Sequence, residues 1–367
     1  MTTPQTIHVA ILDAEIPCLS VYAKRGLFSS QFKTLLQNAT SRLNKSDPLS
    51  TPLKIHTSSF DAVGGTLPPR EILRTASSPP ISELENAGIP ASFRPIDAIL
   101  ITGSGFSAYD DLPWIHELIS FIRLCHGQFP LIKIFGSCFG HQIIAQALLS
   151  KPDVGLGFIS PESASASMTT STTTFHVQHS PTGYEMGIQP ITLKEEFKKY
   201  FPPLARADPF RIQLIHGDIV VPKLDSEQTQ TQARQEPGEI SLPSPWMNIG
   251  SSSACDIQGL YLPGRILTFQ GHFEFDAWLN AELCREFGRR GGWETSLVEE
   301  YVRDIEKSVV SGGEEEDDDD SKVAAEAVVL FFAGRDVTHP INQEQVVSGF
   351  SGDFGVNWNG MLTPPME

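Results

Sequence analysis

The chain predicts an α/β fold, a mostly parallel sheet with helices on both faces. Buried-type apolar runs recur as strands at His8–Leu12, Ile96–Ile101 and Leu131–Phe135. Between them lie segments with apolar residues at helical spacing. Strands that alternate with helices in this way form parallel pairs joined by crossovers. A chain of 367 residues is long enough for one large domain of this type with insertions.

The elements follow in order. His8–Leu12 is the first strand, residues from about Leu27 to Leu43 a helix, and Leu53 to His56 a second strand. Residues 61–95, rich in Pro, Gly and Ser, predict an irregular excursion. Ile96–Ile101 then ends in a glycine turn at Thr102-Gly103-Ser104-Gly105. Asp110-Asp111-Leu112-Pro113 reads as a helix start, with an acidic cap and an early proline. Trp114, Leu118, Phe121, Ile122 and Cys125 form the apolar stripe of that helix. The strand Leu131–Phe135 leads into a further helix that runs to about Leu149.

The second half predicts short strands at 154–159, 186–193, 212–215, 259–262 and 266–270, and the sheet is expected to carry a small antiparallel extension. Polar stretches at about 161–174 and 224–245 read as surface loops, and helices return over 276–287, 295–309 and 323–332. The domain is therefore placed at 1–310, with insertions at about 61–95 and 224–245. The run Glu314 to Asp320 repels itself and predicts a disordered acidic loop over 311–322, before a C-terminal helix and tail over 323–367.

Composition narrows the function. A formal net charge of −17 argues against a nucleic-acid or anionic-membrane binder, which needs basic patches. No apolar run approaches a membrane span, and the first apolar stretch lacks the flanks of a secretory signal. The five cysteines are scattered and lack CxxC spacing, as expected of reduced thiols in a cytoplasmic protein. The histidines show no metal-ligand spacing, so neither a metal nor a cofactor is expected. The glycine turn at 102–105 lacks a Walker lysine and a complete GxGxxG, which argues against phosphate binding.

The chemistry centres on Gly136-Ser137-Cys138-Phe139-Gly140-His141-Gln142, a strand, a tight turn and a helix start. A cysteine there projects its sulfur outward, and the first-turn N–H groups and helix dipole favour thiolate. Gly136 and Gly140 spare the turn a Cβ clash. A thiol nucleophile also needs a base, and the base an orienting partner. Gln270-Gly271-His272-Phe273-Glu274 supplies both, because alternation in an extended segment puts His272 and Glu274 on one side. His141 is a rival base, read as elbow packing, and His216 and Asp218 are either substrate contacts or a loop histidine satisfied by a carboxylate.

Together these motifs resemble the class I glutamine amidotransferase-like family, in particular its stand-alone members and γ-glutamyl peptidases. The likeness spans roughly residues 7–290, with Tyr109–Ile115, Gly183–Gly187, His216–Asp218 and Ile249–Ser252 as further matches. It implies a flavodoxin-like doubly wound sheet and a Cys–His–Glu triad of Cys138, His272 and Glu274. It also implies oxyanion donors at Gly103 and Phe139 and a substrate-contacting Gln142. The chain departs from the family at Phe273, where proline is usual, and at Thr102-Gly103-Ser104, where Gly-Gly-Pro is common.

The resemblance implies hydrolysis of the glutamine γ-amide to glutamate and ammonia, supplying nitrogen in specialised metabolism. The chain carries no synthase signature, so the ammonia acceptor would be a separate synthase partner. The alternatives are a γ-glutamyl peptidase acting on glutathione conjugates, and a catalytically silent regulatory binding protein.

Overall fold

The first strand shows how the sheet is built. In β1 (Gln5–Asp13) every residue from Ile7 onward is buried, as in a strand covered on both faces. Val9 and Ile11 enter one core while Ala10 and Leu12 enter the other, following the alternation of strand side chains. The computed structural model describes residues 3–150, 174–223, 240–310 and 319–336.

The remaining strands are β2 (Leu53–Asp61), β3 (Ala98–Ile101), β4 (Lys133–Ser137), β5 (Thr174–His179), β6 (Glu185–Leu193), β7 (Phe210–His216), β8 (Asp218–Lys223), β9 (Met247–Asn248), β10 (Gly250–Ser251), β11 (Leu260–Leu262) and β12 (Ile266–Phe269). The main sheet runs β2-β1-β3-β4-β12-β11-β9. Its first five strands are parallel, and β11 is antiparallel to both its neighbours. Five parallel strands in the order 2-1-3-4-5 make a flavodoxin-like sheet, and β11 and β9 are its antiparallel extension. Two smaller antiparallel sheets, β10-β6-β7 and β5-β8, stand outside it.

The helices are α1 (Leu19–Arg25), α2 (Phe28–Ser46), α3 (Ile81–Asn86), α4 (Pro113–Gln128), α5 (Phe139–Leu148), α6 (Glu195–Lys198), α7 (Ala277–Gly291), α8 (Thr295–Val310) and α9 (Ser321–Phe332). Phe32 and Leu36 of α2 share one core with Val328 and Phe331 of α9. Trp114 and Leu118 of α4 share the opposite core with Ile143 and Ile144 of α5. The predicted Cys125 stripe is buried as expected.

Several expectations change. β2 extends to Asp61 because it pairs along all of β1, from Gln5 with Leu53 to Asp13 with Asp61. The excursion over 61–95 holds α3 and two 3₁₀ turns, and Leu73 bridges Ile96. The acidic cap of α4 does not form. Leu112 is the N-cap, Asp110 accepts the Ser107 N–H at 2.9 Å, and Asp111 takes the His116 ring at 2.8 Å. Pro113 opens the helix at a position whose N–H would have no intrahelical acceptor.

The compact unit extends past 310 to Asp336, because α9 buries Ala324, Val328 and Phe331 in the sheet core. The loop placed at 311–322 accordingly ends early. Asp320 stands at the N-cap position of α9, and its carboxylate accepts the Arg211 N–H at 2.7 Å. Residues 311–318, the strand expected at 154–159, most of both polar stretches and the tail lie outside the described residues.

Between β4 and α5 the backbone packs closely. A Cβ on Gly140 would lie 2.3 Å from the Ile101 carbonyl oxygen, and one on Gly136 2.4 Å from the Gly140 carbonyl. Gly140→Ala is expected to destabilise the fold by about 1–3 kcal/mol, read from the urea midpoint. A wild-type midpoint would show that the elbow can relax without cost.

Candidate active site

The elbow places Cys138 between β4 and α5 with φ +50°, and among the described residues no other non-glycine has a positive φ. Its N–H is held by the Phe269 carbonyl of the adjacent parallel strand at 2.9 Å. The side chain is buried, yet it opens onto a cleft of about 340 Å³.

The neighbouring strand delivers the histidine. His272 donates its N–H to the Gln213 carbonyl at 2.7 Å, which pins the segment after β12 to β7. Its ring stacks on Phe275 with centroids 3.9 Å apart and planes 7° apart. Nδ1 lies 2.7 Å from Glu274 Oε1, and the Ser137 hydroxyl donates to the same carboxylate oxygen at 3.1 Å. With Nδ1 engaged by Glu274, Nε2 is the ring nitrogen left for the thiol. Nε2 has no conventional hydrogen bond, and the sulfur is its electrostatic neighbour. Burial opposes charge on this ring, but Glu274 and Cys138 outweigh it and push His272 up to about 10.

Phe273, in the place of the family's proline, is buried and turns the other way. It packs edge-on to Phe32, Phe135 and Phe269, with centroids 5.5, 5.8 and 6.2 Å away. Core packing therefore fixes the segment that a proline would stiffen through φ.

Gly103 also approaches the pair closely. A Cβ there would stand 2.7 Å from His272 Cε1 and 3.7 Å from Cys138 Cβ. Phe139 opens α5, where first-turn N–H groups have no intrahelical acceptor. Gln142 lines the cleft, but its amide nitrogen is engaged by the Asp218 carbonyl at 3.0 Å and by Gln270 Oε1 at 3.2 Å. Gln270 in turn donates to Cys138 Sγ at 3.5 Å. Sequence patterns assign no role to Gln270 or to Ser137. The place of Gln270 two residues before His272 on a strand end was the available signal.

His141 does not join the site. Its Nδ1 meets Thr268 Oγ1 at 2.8 Å, and burial with His216 nearby pushes the ring down to about 3. His216 and Asp218 both line the cleft. His216 Nε2 lies 3.0 Å from Glu185, which also accepts from Ser252 at 2.5 Å and Gln258 at 2.9 Å. The three later motifs thus converge on one buried polar network. Asp218 accepts from Ser107 at 2.6 Å and Tyr109 at 3.2 Å. Burial pushes Cys125 and Cys255 up to about 12 and Cys284 to about 11, the condition of inert thiols.

The site thus joins a flavodoxin-like sheet, an elbow cysteine and a buried histidine–carboxylate pair. No family model matches the chain. It is 29% identical over 268 residues to a provisionally named glutamine amidotransferase-like protein of Schizosaccharomyces pombe, covering 73% of this chain and 79% of the relative. A provisionally named glutamine amidotransferase of Saccharomyces cerevisiae is 28% identical over 181 residues, 49% of this chain and 53% of that one. A glutamine amidotransferase-like protein of Penicillium rubens is 24% identical over 191 residues, 52% and 60% of the two chains.

A solved glutamine amidotransferase from Thermotoga maritima covers 91% of this chain and 99% of its own at 13% identity, with a TM-score of 0.46. One from Methylobacillus flagellatus covers 91% and 96% at 15% identity, with a TM-score of 0.45. The curated relatives support the glutamine amidotransferase-like family that the motifs resemble. Among the described residues no helix is long and apolar enough to cross a membrane.

The raised His272 value has a pH consequence. A ring held above its ordinary 6.5 stabilises the fold fully below pH 6.5, and that contribution is lost as pH rises through about 10. Denaturant melts of wild type and Glu274→Gln should therefore differ most near pH 6, with the gap narrowing towards about pH 10. A gap independent of pH would contradict the charged pair.

Proposed function

We propose that the chain is a cysteine amidohydrolase acting on the γ-amide of glutamine. The observation that carries this is Cys138 at φ +50°, which lines one small pocket together with a buried His272 whose Nδ1 is 2.7 Å from Glu274. Cys138 is the nucleophile, His272 the base and then the acid, and Glu274 the orienting carboxylate.

His272 takes the thiol proton, and the sulfur attacks the γ-carbonyl carbon. The Gly103 and Phe139 N–H groups receive the oxyanion, each worth about 3–4 kcal/mol of barrier. As the C–N bond breaks, His272 passes its proton to the leaving nitrogen and ammonia departs, leaving a thioester on Cys138. Water, deprotonated by His272, then attacks the thioester carbonyl. Glutamate leaves and the thiol is restored. Use of the ammonia would need a separate synthase partner.

A second reading is cleavage of larger γ-glutamyl amides. The cleft beyond Cys138 is walled by Phe106, Tyr109, Tyr184 and Trp293, an apolar surface that ammonia as leaving group does not need and a bulkier amine would use.

Purified protein incubated with glutamine and with γ-glutamyl conjugates should release glutamate. Cys138→Ala should reduce this to background, and His272→Ala should cost about 10²–10⁴-fold while His141→Ala stays active. Turnover of conjugates alone favours the peptidase, and turnover of neither a silent binding protein. A diazo-ketone glutamine analogue that labels Cys125 or Cys255 instead of Cys138 would refute the nucleophile assignment.

A further inference from the structure

We infer that Glu15 is a positioning residue, which holds the Gly103 loop against Cys138 and His272 by accepting the Gly105 N–H. This rests on the oxyanion role of Gly103 proposed above.

Glu15 follows β1 directly, and its side chain is 10% exposed. Its Oε2 lies 2.6 Å from the Gly105 nitrogen, and its Oε1 lies 2.5 Å from Arg290 at the end of α7. Arg290 is itself held from within α7, where its Nε donates to Glu286 at 2.8 Å. One residue earlier, the Ala14 N–H donates to Thr102 Oγ1 at 2.9 Å. The segment after β1 therefore grips the loop on both sides of Gly103, at Thr102 and at Gly105.

The grip matters because there is no slack at Gly103. A Cβ on that residue would stand only 2.7 Å from the His272 ring, so the loop already touches the base and moving inward collides with it. Moving outward withdraws the N–H from the place where the oxyanion forms. Packing at Gly105 is also close, since a Cβ there would be 3.1 Å from Phe287 and 3.3 Å from Glu15 Oε2. A carboxylate bonded to a backbone N–H is stronger than a neutral acceptor, and Arg290 satisfies its second oxygen.

The test pairs two reactions of Cys138 in the full chain. Hydrolysis of glutamine builds an oxyanion. Alkylation by iodoacetamide displaces iodide at a saturated carbon and builds none. Glu15→Ala should lower kcat about 10- to 100-fold with KM within about twofold, while the alkylation rate stays at the wild-type value. Glu15→Gln keeps an acceptor oxygen and should return kcat to within about threefold of wild type. If Glu15→Ala does not fold, Glu15→Asp draws the oxygen back from Gly105 and should show the same selective loss.

Wild-type kcat in Glu15→Ala or Glu15→Asp, or a parallel fall in turnover and alkylation, would overturn the inference while leaving the glutaminase reading intact. A wild-type protein that turns over neither glutamine nor γ-glutamyl conjugates would sink both together.

Discussion

The backbone at Cys138 is the constraint on which the rest of the site depends. A left-handed conformation at a residue with a side chain is costly and persists only where the surroundings over-determine it. Here they do. The Phe269 carbonyl holds the Cys138 N–H, while Gly136 and Gly140 let β4, α5 and β3 approach to distances that no Cβ would permit. The same close approach that strains the turn brings the end of β12 beside the sulfur, with His272 and Glu274 just beyond it.

Around that point the molecule assembles its polar groups by carboxylates that each serve two or more structural partners. Glu274 joins the His272 ring to Ser137, the residue immediately before the cysteine. Glu185 joins His216 to Ser252 and Gln258 across three separate motifs. Glu15 joins the Gly103 loop to α7. A buried carboxylate satisfied on both oxygens fixes geometry more firmly than apolar contact, because losing either partner strands a charge.

Phe273 illustrates how one requirement can be met by two kinds of chemistry. The segment between His272 and Glu274 must be stiff if the ring and carboxylate are to stay aligned. Proline would achieve that through a fixed φ, whereas here an aromatic side chain anchored among Phe32, Phe135 and Phe269 does so from the opposite side of the strand. The resulting 2.7 Å contact between His272 and Glu274 is as short as a charge-assisted bond should be.

The sequence alone determined the features that depend on neighbours along the chain. These are the strand–helix alternation, the elbow around Cys138 and the same-side placement of His272 and Glu274, all set by periodicities of a few residues. It misjudged the α4 cap, the length of β2 and the end of the domain, because those depend on the Ser107 N–H, the whole length of β1 and the core that receives α9. Glu15, Ser137 and Gln270 were invisible for the same reason. Their partners lie 90, 137 and 132 residues away, at distances along the chain where no local pattern records a contact. Only the closing of the parallel sheet, which sets β12 beside β4 and the loop after β3 beside the segment after β1, decided which side chains would meet.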